Sequence, residues 1–194
     1  MSKLPLSYYI DNDVESIARS LLGKILFSRI NNKVTAGIIT ETEAYKGIFD
    51  KASHAYGGRR TKRTEVMYKQ GGISYVYLCY GVHYLLNVVT AGVDIPHAVL
   101  LRGIHPLIGI KYMLDRTGKA KADKYLTNGP GKITKAMGIN IIHNNMSFQS
   151  DELWIENNNV DVKQHNIIAG PRIGVGYAAE DAFLPYRFIL KLTQ

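Results

Sequence analysis

Glu41-Thr42-Glu43-Ala44-Tyr45, then His54, then the run Arg59-Arg60-Thr61-Lys62-Arg63, then the tyrosines Tyr75, Tyr77, Tyr80 and Tyr84 fall within one stretch of the chain. Each residue type brings a distinct capability. A carboxylate can take a proton from water, a flat ring can stack on a base, and guanidinium and ammonium groups hold phosphate. Together these are the parts needed for chemistry on a nucleobase.

Side chains alternate along an extended strand, so Glu41, Glu43 and Tyr45 share one face. Two carboxylates there fit an edge strand kept soluble by acids, or acids paired with nearby arginines. They equally fit a general base beside an aromatic ring, and spacing does not choose between Glu41 and Glu43. In Tyr75-Val76-Tyr77-Leu78-Cys79-Tyr80 the same alternation puts Tyr75 and Tyr77 on one face and sends Tyr80 to a turn. Tyr75 and Tyr84 read as core. Tyr77 reads as a cavity wall if it shares a face with Tyr45. Packing does not explain an aromatic at a hairpin tip such as Tyr80, whereas a wedge filling the gap left by an extruded nucleotide does.

His54 stands alone. The six histidines lack the i, i+4 or cysteine-paired spacing of a zinc site, and Cys79 is the single cysteine, so no metal centre is expected. Arg59, Arg60, Lys62 and Arg63 serve either as phosphate contacts or as solvated charges. Arg102 closes the apolar run Ala98-Val99-Leu100-Leu101, where it can pair with Glu43 or merely cap the sheet. Asn87 interrupts Leu85-Leu86-Asn87-Val88-Val89; a buried amide needs a hydrogen-bond partner, structural or from a ligand.

These side chains need a scaffold. With 194 residues, 46% hydrophobic and 21% charged, the sequence suits one ordered domain over residues 1–194. Net charge is +8, and a pI near 9.5 favours a polyanionic partner through counterion release. No apolar window is long enough for a membrane span and no export signal is evident, which with a lone cysteine fits a reducing, cytoplasmic setting. Asn12 and Glu15 read as a capping box opening a helix whose apolar face is Val14, Ile17, Ala18, Leu21 and Leu22, ended by Gly23. Residues 24–30 and 34–45 form a hairpin around Asn31-Asn32, and residues 46–72 a long ordered loop. Residues 74–79 and 84–89 form a second hairpin with Tyr80 at its tip. A further strand covers residues 98–102. Helices are expected over residues 106–114, with Pro106 in the first turn, and from Gly129-Pro130 to about residue 137. Residues 119–124 read as a solvated turn. Late strands are expected at 151–156, 167–169, 172–175 and 186–192. The fold class is α+β, a mostly antiparallel central sheet flanked by helices.

In this order the residues resemble the alkyladenine (3-methyladenine) DNA glycosylase family. The matching segments are Glu41-Thr42-Glu43-Ala44-Tyr45, His54, Gly57-Gly58-Arg59, Tyr75-Val76-Tyr77, Tyr80-Gly81, Asn87, Leu100-Leu101-Arg102, Gly129-Pro130 with Lys132, and Arg172-Ile173-Gly174-Val175-Gly176. They span roughly residues 15 to 190; the long N-terminal extension of the vertebrate proteins has no counterpart here. The resemblance implies a compact mixed α/β glycosylase with a DNA-intercalating β-hairpin. It implies Glu43 as general base, with Arg102 and the backbone of Val175 helping it hold the attacking water. Tyr45, His54 and Tyr77 would sandwich the flipped base, and Asn87 would stand where guanine's exocyclic amine would lie. Tyr80 matches the wedge, flanked by Val82 and His83, where relatives carry other apolar or aromatic residues. Arg59, Arg60, Thr61 and Lys132 would contact DNA. The implied partner is double-stranded DNA containing damaged purines of the 3-methyladenine, 7-methylguanine and hypoxanthine class. The protein would act as a monomer without cofactor, in the cytoplasm and on the nucleoid if bacterial. The competing reading is a non-catalytic reader of distorted nucleic acid.

Overall fold

The computed structural model describes residues 2–157 and 162–191. The first helix, α1 (Val14–Ser20), buries Val14, Ile17 and Ala18, and the turn that follows buries Leu21 and Leu22. That is the apolar stripe expected from the spacing. The cap differs from expectation. Asp13, not Asn12, accepts the Ser16 amide at 3.1 Å, and Glu15 reaches out to Lys46 at 3.3 Å instead of folding back on the helix end. Asp caps as well as Asn, and Asp13 stands directly before the first helical residue, in reach of the orphan Ser16 amide.

Strands β1 (Ile25–Ile30) and β2 (Lys33–Tyr45) form the expected hairpin. Asn31 and Asn32 both take positive φ, 53° and 60°, as a two-residue I′ turn requires. The 46–72 stretch contains only short 3-10 turns and no strand. Strands β3 (Ser74–Cys79) and β4 (His83–Thr90) make the second hairpin. Strand β5 (His97–Ile108) is much longer than residues 98–102, and it absorbs Pro106. Pro106 faces Gly37 where the register slips, a place where a missing N–H is tolerated. Helix α2 (Ile110–Thr117) therefore starts late, after Gly109 at φ 72°. Helix α3 (Pro130–Met137) begins with its proline as expected. Late strands are β6 (Leu153–Glu156), β7 (Ile167–Gly170) and β8 (Arg187–Leu190); residue 192 of the expected last strand lies outside the described residues.

Residues 172–175 form no strand, contrary to the sequence reading. Gly174 turns at φ 76°, and the Ile173 amide donates to a side chain instead of a ladder. Residues 119–124 are largely exposed, as a solvated turn should be.

Among the described residues all eight strands join one sheet, every pairing antiparallel, in the order β3-β4-β5-β2-β1-β6, with β8 bonded to β2 and β7 to β8. The sheet forks at β2. Its early residues pair with β1, while Glu41–Glu43 pair with β8 on the same side and β5 runs along the other. Register breaks around Glu41 open the fork.

Alternation then divides the sheet's two faces. Ala44, Leu86, Val88, Val99 and Leu101 point into the main core with α1, α3 and Phe148. Thr42 ties α1 to β2 by bonding the Ala18 carbonyl at 2.8 Å, and Thr134 ties α3 to β4 through the Tyr84 carbonyl at 2.6 Å. Glu43, Tyr45, Tyr75, Tyr77, Asn87 and Arg102, at the alternate positions, face the other way. There the 46–72 loop packs Ala55, Val66, Met67 and Tyr68 against Tyr75, Val89 and Ala98. One face of the sheet holds the fold together; the other carries the site.

Candidate active site

Glu43 is 0% exposed, with β5 on one side and β8 on the other. Its Oε1 accepts the Ile173 amide at 2.8 Å and its Oε2 accepts the Tyr45 hydroxyl at 2.8 Å. Arg102 is farther: its Nε lies 3.4 Å from Oε1 and its Nη1 3.5 Å from Oε2. The same Nε bonds Glu41 at 3.2 Å, and Arg187 also holds Glu41, at 2.7 Å. The two carboxylates are thus unlike. Glu41 is matched by two guanidinium groups. Glu43 is walled in, and its burial pushes its carboxyl above the usual range against the opposing pull of Arg102, the Ile173 amide and Tyr45.

Above Glu43 lies a cleft of about 660 Å³. Tyr45, His54, Tyr77, Tyr80, His83, Arg102, Lys132 and Val175 all line it. Glu43 does not; it sits directly beneath, touching Tyr45, Arg102 and Ile173, which do. A smaller recess at the inner end adds Asn87, Met67 and Tyr75 to Tyr45, His54 and Tyr77.

His54 stands edge-on to Tyr77, ring centres 4.7 Å apart, and its Nδ1 lies 2.8 Å from the Tyr75 hydroxyl. Burial, with Arg63 and Arg59 nearby, holds its pKa down at about 4, so the ring is neutral near pH 7. Asn87 is buried and donates its amide to the Tyr75 carbonyl at 3.0 Å, which fixes its orientation across the hairpin. The Arg63 guanidinium lies over the Tyr77 ring, 4.7 Å from its centre.

The hairpin tip is as exposed as a wedge demands. Tyr80 is 91% exposed, and Val82 and His83 are also exposed. Tyr80 and Gly81 take φ of 50° and 71°, and the Val82 amide bonds the Cys79 carbonyl at 3.1 Å. A bulky residue in the left-handed region with almost no packing contact bears strain that folding alone does not reward.

The basic loop is less uniform than its sequence suggests. Arg60 is committed to Glu65 at 2.9 Å and Asp94 at 2.7 Å, and lies over Tyr68. Thr61 closes a local turn with Thr64. Arg59 is exposed; its backbone amide donates to the Tyr56 carbonyl at 3.4 Å and its carbonyl accepts from Thr64 and Tyr68. Lys132, on α3, faces the cleft with its ammonium 5.5 Å from the centre of the Tyr125 ring.

The structure therefore brings Glu43, Tyr45, His54, Tyr77, Asn87, Tyr80, Arg102 and Val175 to one cleft and its recess, and leaves Arg60 and Thr61 tied up in the loop. It also adds residues that sequence reasoning passed over. Tyr75, read as core, anchors both His54 and Asn87. Ile173, two residues before Val175, supplies the backbone amide that reaches Glu43. Tyr177, 70% exposed, lines both the cleft and the recess and is pinned through its hydroxyl to the Ala52 carbonyl at 3.1 Å. Its position after Gly174 and Gly176 carried no periodic signal. Among the described residues, no three His, Cys, Asp or Glu side chains gather as a metal's ligands would.

Comparison with known proteins bears on this site. The family model described as "Methylpurine-DNA glycosylase (MPG)" matches residues 8–194. A protein of Chlamydia felis is 45% identical over 192 residues, covering 98% of this chain and 97% of that protein. One of Bacillus mycoides is 45% identical over 192 residues, covering 95% and 94%, and one of Bacillus cytotoxicus is 43% identical over 194 residues, covering 96% and 95%. All three are described as "Putative 3-methyladenine DNA glycosylase".

Proposed function

The chain belongs to the methylpurine-DNA glycosylase family and is a monofunctional DNA glycosylase, and from that premise we propose which bond it breaks and how. It hydrolyses the N-glycosidic bond of alkylated or deaminated purines, the 3-methyladenine, 7-methylguanine and hypoxanthine class, in duplex DNA. The observation that carries this reading is one buried carboxylate, Glu43, directly beneath an aromatic-walled cleft that also opens onto an exposed, strained Tyr80.

Cations hold the phosphates, Tyr80 takes the place of the target nucleotide, and the base swings into the recess between Tyr45, His54 and Tyr77. A lesion that pairs badly leaves the stack more easily, which already favours damaged bases. A positively charged alkylpurine gains about 0.5–2 kcal/mol over a tyrosine face, and the neutral His54 does not repel it. That preference is small, so exclusion has to add to it. The anchored Asn87 amide meets guanine's exocyclic amine, and a polar group left unpaired there costs more than stacking returns.

As the C1′–N bond breaks, its electron pair leaves with the base and positive charge develops on the sugar. Water attacks C1′ and gives its proton to Glu43, whose carboxylate also stabilises the sugar's charge. Water reaches Glu43 only if one of its contacts opens, and those to Arg102 are the longest. No lysine touches Glu43 among the described residues, which fits attack by water and no strand cleavage.

The test is release of free base from duplexes carrying a methylated purine or hypoxanthine, with Glu43→Gln alongside. The proposal expects free base from wild type and almost none from the variant, with lesion binding retained. A protein that binds lesions without releasing base would instead be a reader of distorted DNA, a role that leaves the buried carboxylate without purpose.

A further inference from the structure

Behind the site lies an ion pair that the reaction as described does not use. Arg172 and Asp50 have side chains 0% and 1% exposed. The Arg172 Nη1 bonds Asp50 Oδ2 and the Ala44 carbonyl, the latter at 2.9 Å; its Nη2 bonds Asp50 Oδ1 at 2.8 Å and the Asp181 carbonyl at 3.1 Å. Its Nε is buried with no partner among the described residues. A buried pair of this kind adds little stability over apolar residues of the same volume, so stability alone does not account for it.

Several of its connections lead to the cleft, although the guanidinium also lies 5.2 Å from the centre of the Tyr186 ring, outside it. The guanidinium lies 4.8 Å from the centre of the Tyr45 ring. Asp50 accepts the Lys46 amide at 3.0 Å, just after Tyr45, and the Ala52 amide at 2.9 Å, two residues before His54. The residue after Arg172 is Ile173, whose amide bonds Glu43 at 2.8 Å. Two stretches distant in sequence, 44–52 and 172–181, meet at one guanidinium.

We propose that Arg172, clamped by Asp50, is the positioning residue of the site: it backs the Tyr45 ring and sets the Ile173 amide that aims the Glu43 carboxylate. This rests on the reading of Glu43 as base and Tyr45 as wall. Lysine at 172 keeps the charge but cannot make the forked contacts, so Ile173 drifts from Glu43 and the carboxylate loses a donor. Asp50→Asn loosens the same clamp while conserving shape.

The test uses the full chain with ¹³C-labelled glutamate carboxyls, the Glu43 signal assigned by its disappearance in Glu43→Gln. In Arg172→Lys the Glu43 titration moves to higher pH than in wild type, and the acid limb of the excision rate moves with it. The saturating single-turnover rate falls about 10- to 100-fold, the scale of a small misplacement of reacting groups, while DNA affinity, carried by phosphate contacts, holds. Asp50→Asn shifts both readouts the same way by less, and decides the matter if Arg172→Lys does not fold. An unmoved Glu43 titration in a folded variant overturns the proposal, as does a rate loss with an unchanged pH profile. A wild-type protein that releases no base would sink the reaction proposed above, yet the titration would still report whether Arg172 positions Glu43.

Discussion

The two carboxylates of β2 show how little residue type says without surroundings. Glu41 and Glu43 share a face, as alternation required, but Glu41 meets Arg102 and Arg187 while Glu43 is buried beneath the cleft. Spacing could not choose between them; family resemblance pointed to Glu43, and the contacts add a physical difference, since two guanidinium groups hold Glu41 while the Tyr45 hydroxyl and the Ile173 amide hold Glu43 under the cleft. Glu43→Gln is expected to lower excision by about 10²–10⁴-fold, the usual contribution of a general base. Because the folded protein holds the Glu43 carboxyl above its ordinary range, ionising it costs the folded protein more than the unfolded chain. The variant's melting temperature at pH 7 should therefore equal or exceed that of wild type, and a clear drop would mean the hydrogen bonds to Glu43 outweigh its burial. In wild type the rate should fall as pH drops through an apparent pKa above the ordinary carboxylate range. His54 gives a separate prediction. Its folded pKa, about 4, lies below the ordinary 6.5, so the unfolded chain binds more protons between those values. The stability it contributes is complete above about 6.5 and lost as pH falls towards 4. Urea unfolding of His54→Gln against wild type across that range checks this, and equal pH slopes would refute it.

At the scale of elements, what periodicity and turn chemistry encode locally was legible: the stripe of α1, the Asn31-Asn32 hairpin, the Tyr80 hairpin and the proline start of α3. What long-range partners decide was not. Pro106 looked like a helix start until Gly37 supplied a register break to lie against, and residues 172–175 looked like a strand until Glu43 claimed the Ile173 amide. Apolar alternation also could not reveal that Tyr75 anchors His54 and Asn87, because a core tyrosine and an anchoring one have the same spacing. The tip of β3–β4 separates folding from function most cleanly. Tyr80 in the left-handed region costs about 1–2 kcal/mol, and Tyr80→Gly relieves this against about 0.5–1 kcal/mol of added chain entropy. Melting temperature should hold or rise slightly, since a side chain this exposed packs against little. Capture of flipped bases should weaken, read as lost affinity for a lesion duplex relative to undamaged DNA. If instead the variant unfolds early and keeps its lesion preference, Tyr80 belongs to the fold and not to the wedge.

For the whole molecule, the relevant quantity is not net charge but which charges remain free. The chain carries 24 Lys and Arg against 16 Asp and Glu, and its affinity for DNA should fall linearly in log–log terms with salt, at about 0.9 per phosphate neutralised. Sequence alone made Arg59 and Arg60 equivalent members of one basic run. In the fold they are not: Arg60 is spent on Glu65 and Asp94, whereas the Arg59 side chain is exposed. Arg59→Ala and Lys132→Ala should each weaken binding to damaged and undamaged duplexes alike and reduce the salt slope by about 1. Arg60→Ala should leave the slope where it is, because its guanidinium has no phosphate to release counterions from. Titrations of a fluorescent duplex at several salt concentrations distinguish these outcomes. A slope lowered equally by Arg59→Ala and Arg60→Ala would show that DNA pulls Arg60 out of its ion pairs, and the loop would then have to rearrange on binding.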